Sequence, residues 1–570
     1  MEDLLVLGID CGGTHTDAAV LSVKNSQARV LATGKTATRH DNLPLSIAEA
    51  VKIACESPSG TRFRPERVTL GTTLAINALV QGKADNVGLA LSAGPGLDPS
   101  HFVIGEHYCI VPGGLDHRGM EVTPLFTEEL QATASSWPDQ GVSAIACVGK
   151  FSPRNPAHED EMARVAAKSS GLPVTLGHLM SGQLNFPRRV ATAYYNAAVA
   201  RIHSNFLDAV EGALNAVGID ASLRLLKADG GAIPFALSRK EPAQSILSGP
   251  AASIMGVLAL WPEAREGCAL LLDMGGTTTD IGLFLNGSPV VDRRGMAIQG
   301  RRTLVRSLAS VSIGIGGDSL LHFDKETGKL LAGPVRMGPA MAFGGEYPTL
   351  LDALNVLDGE VSGQDRGDVN ASIKGLKALC NNGDFMLFAQ EAVDYATGEI
   401  VRAVYNLVEG INSRPIYTIA VLKAAREARP ALACLAGGPA ECMRARLAAA
   451  LGMPVQVSPY AQVANAIGAA LAIPTASLEV YADTGKGELS APAYGIREKI
   501  SAGFSIDQAE KKACELLSTH LASEGIRDVH VEVTESDLFA TLDDYGRGAK
   551  DMRVSCQVRP GIVAQVVDPA

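Results

Sequence analysis

The sequence predicts an α/β protein with two similar halves, and three observations lead to this fold class. An octapeptide of pattern Asp-x-Gly-Gly-Thr-x-Thr-Asp occurs at residues 10–17 and again at 273–280. Short apolar runs that end in glycine repeatedly precede stretches with helical spacing. Apolar residues make up 46% of the chain and charged residues only 19%, which indicates large buried interiors and argues against disorder.

The length of 570 residues predicts three or four domains of about 100–200 residues each. We expect an N-terminal lobe at 1–185 with the first octapeptide and a second lobe at 186–475 with the other copy. The more polar composition of 476–570 predicts a small C-terminal α+β appendage. The net charge of −11, with no basic block to offset it, disfavours nucleic-acid and anionic-membrane partners.

The first residues carry no positive region typical of a signal peptide, and no apolar run approaches the roughly 18 residues that span a bilayer. A cytoplasmic location is therefore expected. The ten cysteines contain no Cys-x-x-Cys pair and mostly lie in apolar runs. This pattern favours buried reduced thiols over a zinc or iron–sulfur site.

Each octapeptide lies between two apolar runs and predicts a β-hairpin with a Gly-Gly turn. Glycines without a Cβ, their N–H groups and neighbouring hydroxyls can form a phosphate site. A carboxylate beside phosphate needs an intervening cation, so Asp10 and Asp273 are interpreted as the catalytic, Mg²⁺-binding residues. Ordinary glycine turns are the alternative, but recurrence of six fixed positions argues against coincidence. The predicted phosphate-binding residues are Gly12, Gly13, Thr14, Thr16, Gly275, Gly276 and Thr277.

Further along the first half, helical spacing predicts a helix at 43–56, and a short strand at 67–70 leads into Gly71-Thr72-Thr73 and a helix at 74–80. This strand–turn–helix can bind an anion or a polar substrate, or it can simply cap the helix. Thr72, Thr73 and Asn77 are the substrate candidates. A long helix is expected at 187–217 as the connection between the two halves.

In the second half, a strand at 310–319 ends in Gly316, Gly317 and Asp318, and another at 431–436 ends in Gly437 and Gly438 before a helix at 440–451. The four glycines are expected to line the nucleotide, while Asp318 is a weaker substrate candidate. Other segments with helical spacing are 385–411, 416–429, 461–473 and 506–524, and strands are expected at 530–533 and 552–558.

These motifs and their order resemble the hydantoinase A/5-oxoprolinase family, within the actin/Hsp70/sugar-kinase ATPase superfamily. The resemblance covers roughly residues 4–475 and rests on both octapeptides, on Gly71-Thr72-Thr73-Leu74-Ala75-Ile76-Asn77 and on Ser248-Gly249-Pro250-Ala251. It implies two actin-like (ribonuclease H-like) ATPase lobes around a nucleotide cleft. The chain departs from the family pattern at Ile313-Gly314-Ile315-Gly316-Gly317-Asp318-Ser319, where an additional acid enters, and in the loop-rich segment 333–358.

The resemblance also implies a function: ATP-dependent ring opening of a hydantoin, oxoproline or lactam through phosphorylation of a carbonyl, with ATP and Mg²⁺ as cofactors. It implies a separate hydantoinase B-type subunit as partner, and a homo-oligomer is possible. A carboxylase subunit or a small-molecule kinase of the same fold, and an actin-like reactivating or chaperone ATPase, remain alternatives. The departures at 333–358 leave the substrate open.

Overall fold

The computed structural model describes residues 3–56, 62–94, 96–292, 294–324, 326, 328–358, 366–381, 383–413, 427–526, 529–542 and 546–567. Most of the helix expected at 416–429 lies outside these residues, as does the side chain of Asn77. The other main elements predicted from sequence periodicity are present, and most have boundaries close to those expected. The strand expected at 310–319 ends at Ile313, and the strand expected at 530–533 continues to Leu542.

The strands, in chain order, are β1 Leu4–Cys11, β2 His15–Lys24, β3 Gln27–Ala37, β4 Arg67–Thr72, β5 Val87–Ser92, β6 Tyr108–Ile110, β7 Gly114–Leu115, β8 Glu121–Thr123, β9 Ala144–Gly149, β10 Val174–Leu176, β11 Ser222–Leu226, β12 Ala232–Pro234, β13 Cys268–Met274, β14 Thr279–Leu285, β15 Ser288–Pro289, β16 Ala297–Ile298, β17 Arg301–Arg302, β18 Ser310–Ile313, β19 Leu321–Phe323, β20 Leu330–Ala332, β21 Leu432–Ala436, β22 Val455–Val457, β23 Ser477–Asp483, β24 Glu488–Ala491, β25 Ile496–Lys499, β26 Val531–Leu542, β27 Gly548–Val558 and β28 Gln565–Val566.

The α-helices are α1 Leu43–Cys55, α2 Leu74–Val80, α3 Glu128–Ser136, α4 Ala157–Ser170, α5 Gly177–Met180, α6 Phe186–Ala216, α7 Phe235–Ser238, α8 Ser248–Leu260, α9 Leu350–Leu357, α10 Val369–Leu379, α11 Phe385–Asn412, α12 Ala440–Leu451, α13 Ala464–Leu471 and α14 Ile506–Ser523. The long connecting helix α6 begins where expected, because Asn185 accepts a hydrogen bond from the Arg188 N–H and Pro187 occupies the first turn.

Two sheets have the same local topology. The first has strand order β12-β11-β4-β1-β2-β3-β28 and the other β15-β14-β13-β21-β22, with β18 also paired to β14. In each, an antiparallel hairpin is followed by a strand parallel to its first member: β4 beside β1, and β21 beside β13. The repeated octapeptide thus belongs to a repeated α/β unit, as the sequence predicts.

Helices α8 and α13 pack closely beside the two sheets, and small residues make this possible. A Cβ at Gly256 would lie 2.3 Å from the Ala464 carbonyl oxygen, and one at Gly468 would lie 2.3 Å from that of Ala252. The buried face of α13 packs with residues of β1 and β2, while α8 packs with residues of β13 and β14. The small residues of these helices therefore bring the two halves into close backbone contact.

Two further sheets complete the α/β architecture. A parallel sheet, β10-β9-β5-β6, lies in the N-terminal part, and an antiparallel sheet, β25-β24-β23-β27-β26, packs with α14 in the C-terminal part. The division at residues 185 and 475 stays a prediction. Strands β11, β12 and β28 belong to the first sheet, although their residues follow position 185.

The described residues bear on two expectations from the sequence, one about membrane-spanning helices and one about the state of the cysteines. None of the described helices is both long and apolar enough to cross a membrane. All ten cysteines are free thiols, and seven of them are buried. The thiols therefore behave as small core side chains.

A substitution at Gly8 tests the close contact between β1 and α13. An alanine Cβ there would lie 1.8 Å from the Ala466 carbonyl oxygen, so Gly8→Ala must displace the helix. We expect destabilisation of about 2–4 kcal/mol, measured as a lower thermal unfolding midpoint. The matched control is Gly212→Ala in α6, where no atom lies within 4 Å of the new Cβ and the midpoint should not fall. An unchanged midpoint for Gly8→Ala would contradict this packing.

Candidate functional site

The two octapeptide hairpins have equivalent geometry. Asp10 pairs with Asp17 across the first hairpin, and Asp273 pairs with Asp280 across the second. Each turn is closed by one backbone bond: the N–H of Gly12 donates to the His15 carbonyl at 3.1 Å, and Gly275 makes the corresponding bond to Thr278 at 2.9 Å. The sequence repeat is therefore a repeat of turn conformation.

The tips of the two hairpins approach each other. A Cβ at Gly276 would lie 3.0 Å from the Thr14 Oγ1 of the opposite hairpin, so a larger residue would obstruct the gap. The N–H groups of Gly13, Thr14, Gly276 and Thr277 donate to no acceptor among the described residues. Unpaired amides from both halves thus flank one gap, an arrangement suited to phosphate oxygens.

The carboxylates of Asp10 and Asp273 lie at the ends of β1 and β13, and one side chain connects them. The Nδ2 of Asn465 donates to Asp10 Oδ2 at 3.2 Å and to Asp273 Oδ2 at 3.1 Å. Ser253 Oγ donates to the same Asp273 oxygen at 2.6 Å. Asn465 comes from α13 and Ser253 from α8, so the two closely packed helices hold the two acids.

Neither Asn465 nor Ser253 was among the predicted site residues. The sequence does contain a signal for both, because each is a polar residue within a helix that is otherwise almost entirely small and apolar. A buried amide or hydroxyl in such a helix needs a hydrogen-bond partner, and carboxylates at strand ends can supply it.

Burial and repulsion between neighbouring carboxylates disfavour the charged forms of Asp10 and Asp280, and a bound cation would offset both effects. Burial, followed by repulsion from Asp17, raises the pKa of Asp10 to about 7. Burial, followed by repulsion from Asp273, raises the pKa of Asp280 to about 7. The Oδ1 atom of Asp10 is also buried and has no hydrogen-bond partner. A positively charged ligand at Asp10 would both neutralise this cluster and use the free oxygen.

Asp10 and Asp273 are better suited to Mg²⁺ than to a metal ion whose ligands all come from the protein. Among the described residues, no group of three or more His, Cys, Asp or Glu side chains forms a metal site. Mg²⁺ usually keeps several waters and binds through one or two carboxylates together with substrate phosphates. Asp10 and Asp273, next to the free amides of the hairpins, supply such a donor set.

Gly316 and Gly317 support the second hairpin from beneath. The N–H of Gly317 donates to the Gly275 carbonyl at 2.9 Å, and that of Asp318 donates to Gly276 at 2.7 Å. A Cβ at Gly316 would lie 2.6 Å from the Gly276 carbonyl, so only glycine fits. The Gly316 N–H donates to Ser319 Oγ at 2.8 Å, so the amides of both glycines are used within the protein, and both residues are buried.

Gly437 and Gly438 follow β21, which lies beside β13. Gly437 has a positive φ of 97°, and a Cβ there would lie 2.1 Å from the Met274 carbonyl and 3.1 Å from Asp273 Oδ1. No atom lies within 4 Å of a Cβ placed on Gly438. At the end of β21, packing therefore requires a glycine at position 437, whereas Gly438 has open space around it.

Thr72 and Thr16 are less accessible than a ligand contact requires. Thr72 is 2% exposed, its hydroxyl accepts from the Leu74 N–H at 3.1 Å, and Ser248 Oγ donates to its carbonyl at 2.8 Å. Thr16 is fully buried and lies 3.0 Å from the Thr38 hydroxyl. Thr72 and Thr16 are therefore buried, whereas Thr73, the other threonine proposed for substrate, is partly exposed.

Asp318 forms an ion pair within the protein. Arg336 Nε and Nη2 each lie 3.0 Å from Asp318 Oδ2, and burial raises the pKa of Asp318. A Cβ on Gly276 would lie 2.7 Å from the same oxygen. The additional acid that distinguishes this sequence therefore lies beside the second hairpin with a guanidinium as its partner. The sequence pattern alone gave no indication of Arg336.

The comparisons with known proteins agree with this geometry. The sequence matches the family described as Hydantoinase/oxoprolinase over residues 189–477 and the Hydantoinase/oxoprolinase N-terminal region over residues 6–170. Since these matches cover most of the chain, the protein belongs to the hydantoinase/oxoprolinase family.

Individual relatives are more distant. The chain is 27% identical over 376 residues to the caprolactamase subunit alpha of Pseudomonas jessenii, covering 61% of this chain and 53% of that protein. It is 25% identical over 400 residues to the acetophenone carboxylase gamma subunit of Aromatoleum aromaticum, covering 62% and 53%. The chain thus spans about half the length of these curated relatives.

The fold also matches a solved structure. Nucleotide-free acetone carboxylase superposes with a TM-score of 0.70 at 17% identity, covering 99% of this chain and 88% of that chain. At this identity the similarity shows the fold alone. Together with the two equivalent sheets, it confirms the predicted α/β class with two similar halves.

The raised pKa of Asp10 predicts how stability depends on pH without nucleotide or Mg²⁺. Its pKa of about 7 in the folded protein exceeds the ordinary 3.8, so the charged form is disfavoured by folding and stability falls as pH rises from about 4 to 7. Asp10→Asn should flatten this decline and stabilise the protein at pH 8 by about 2–4 kcal/mol.

Thermal unfolding from pH 5 to pH 8 measures this effect. The exposed Asp139 supplies the control, because Asp139→Asn should leave the pH profile unchanged. A profile for Asp10→Asn that parallels the wild type would show that Asp10 is not held in a disfavoured charged state.

Proposed function

We propose that this chain is the ATP-binding subunit of an enzyme that opens a cyclic amide, such as a hydantoin, oxoproline or lactam, by hydrolysis. The observation that carries the proposal is the pair of facing hairpins, with Asp10 and Asp273 held by the one amide of Asn465. Family membership and the named caprolactamase relative support the reaction class.

The proposed chemistry uses both halves of the site. The free N–H groups of Gly13, Thr14, Gly276 and Thr277 would hold the phosphates, and Asp10 and Asp273 would hold Mg²⁺. The ion would neutralise charge on the transferring phosphoryl group and orient it. Transfer of the γ-phosphoryl to the amide oxygen releases ADP and makes that oxygen a leaving group.

Water then completes the reaction. It attacks the activated carbon, and the ring C–N bond breaks to give an open-chain acyl phosphate with a free amine. A second water hydrolyses the acyl phosphate to a carboxylate and phosphate. One ATP, one lactam and two waters thus give one ADP, one phosphate and one ring-opened amino acid. The residues that bind the amide remain a prediction, with Thr73 and Asn77 as candidates. Gly71, two residues before Thr73, lies beside Asp10, since a Cβ on Gly71 would lie 3.1 Å from Asp10 Oδ1.

A carboxylase subunit is the second candidate. It is supported by the similarity to a protein named as the acetophenone carboxylase gamma subunit. The same activation would then serve carbon–carbon bond formation with bicarbonate or CO₂, and the product would carry an added carboxylate. A simple kinase would instead release a stable phosphorylated compound, and a reactivating ATPase would respond to a client protein, so product analysis separates these classes.

A partner subunit is part of the proposal. Both curated relatives described above are named as subunits of larger enzymes. We infer that this chain acts with a separate hydantoinase B-type subunit, which would complete the substrate site. Full lactam-opening activity from the purified chain alone would contradict this inference.

The test measures ADP release and product formation with a panel of hydantoins, oxoproline and lactams, for this chain alone and with an added hydantoinase B-type subunit. Asp273→Asn should lower substrate-dependent turnover by about 100-fold or more, because it removes a charge that holds Mg²⁺. Asp139→Asn, an exposed acid, is the control and should retain turnover. Undiminished turnover in Asp273→Asn would refute the metal assignment.

A further inference from the structure

A cavity that is separate from the two octapeptide hairpins lies at the start of α6 and has a volume of about 320 Å³. Its charged wall consists of Arg188, Arg301 and Arg302, and its apolar wall includes Phe102, Ile104 and Ala191. None of the residues that line it is acidic. In a chain with a net charge of −11, this concentration of positive charge needs an explanation.

The arginines are incompletely balanced within the described part of the chain. Arg302 donates to Asp292 Oδ2 at 3.3 Å and to the Gly295 carbonyl at 2.9 Å. Among the described residues, Arg188 and Arg301 have no carboxylate within ion-pair distance. Three guanidinium groups around one cavity repel each other, so an anion placed among them would relieve the repulsion.

The hairpin that presents two of these arginines is rigidly held. Strands β16 and β17 are joined by Gln299 and Gly300, both with positive φ (47° and 77°), as in a two-residue turn of type I′. Gln299 Nε2 donates to the Leu79 carbonyl at 3.2 Å, and Tyr195 donates its hydroxyl proton to Gln299 Oε1 at 3.4 Å. A non-glycine residue in this conformation is locally strained, and strain of this kind is often retained at ligand sites.

The opposite wall is apolar and also fixed. Phe102 packs edge-on against Phe186 at the first residue of α6, with ring centroids 5.7 Å apart. Ile104 is 7% exposed and Ala191 is 2% exposed. A ligand would therefore meet a guanidinium surface on one side and an aromatic and aliphatic surface on the other.

We propose that this cavity binds a small organic carboxylate with an apolar body. Guanidinium groups bind carboxylates through paired N–H donors, and the apolar wall would cover the hydrocarbon part of such a ligand. None of the residues that line the cavity belongs to the two octapeptide hairpins, so this site is independent of the proposed phosphate chemistry.

The test compares hexanoate, its neutral analogue hexanamide and inorganic phosphate by isothermal titration calorimetry with the full chain. Hexanoate should bind more tightly than either of the other two. The double variant Arg188→Gln/Arg301→Gln should weaken hexanoate binding by about tenfold or more. The matched control is Arg294→Gln, an exposed arginine of the same segment that does not line the cavity, and it should bind hexanoate like the wild type.

Three results would overturn the proposal. Equal binding of hexanoate and hexanamide would show that the arginines do not select an anion. Equal binding of phosphate and hexanoate would show that the apolar wall contributes nothing. Full retention of hexanoate binding in the double variant would place the bound anion elsewhere. Circular dichroism of the double variant would establish that it is folded.

Discussion

The site depends on one half-buried amide that two carboxylates share. Asn465 lies on α13, and its side chain donates to Asp10 in one sheet and to Asp273 in the other. Burial, followed by repulsion from Asp17, raises the pKa of Asp10 to about 7, and the hydrogen bond from Asn465 offsets only part of this rise. The remaining strain is what a cation bound with phosphates would remove.

Close backbone packing makes this arrangement possible. Gly8, Gly256 and Gly468 allow the helices and the first sheet to approach until a Cβ would lie only 1.8 to 2.3 Å from a carbonyl oxygen. Gly316 fills the same need under the second hairpin. These glycines fix the separation of the two halves, so the tips of the hairpins and their acids meet across a narrow gap.

The sequence predicted the fold class and both hairpins because a repeated motif and apolar periodicity are local properties. It did not predict Asn465, Ser253 or Arg336, since their importance arises only when distant segments pack together. Thr72 shows that a motif recognised in the sequence can still have more than one role. Its Gly-Thr-Thr sequence is compatible with a substrate contact or a helix cap, and the structure shows the threonine hydroxyl buried as a local acceptor for the Leu74 N–H. Sequence patterns could not choose between these roles.

The central claim is that Asp10 and Asp273 form one metal and nucleotide site. A double-mutant cycle measures this directly, using calorimetric affinity for a non-hydrolysable ATP analogue in the presence of Mg²⁺. Asp10→Asn and Asp273→Asn should each weaken binding, and the double variant should lose less than the sum, with a coupling energy of about 1 kcal/mol or more. Losses that add to within about 0.5 kcal/mol, or no losses at all, would show that the two carboxylates act independently and would contradict the account.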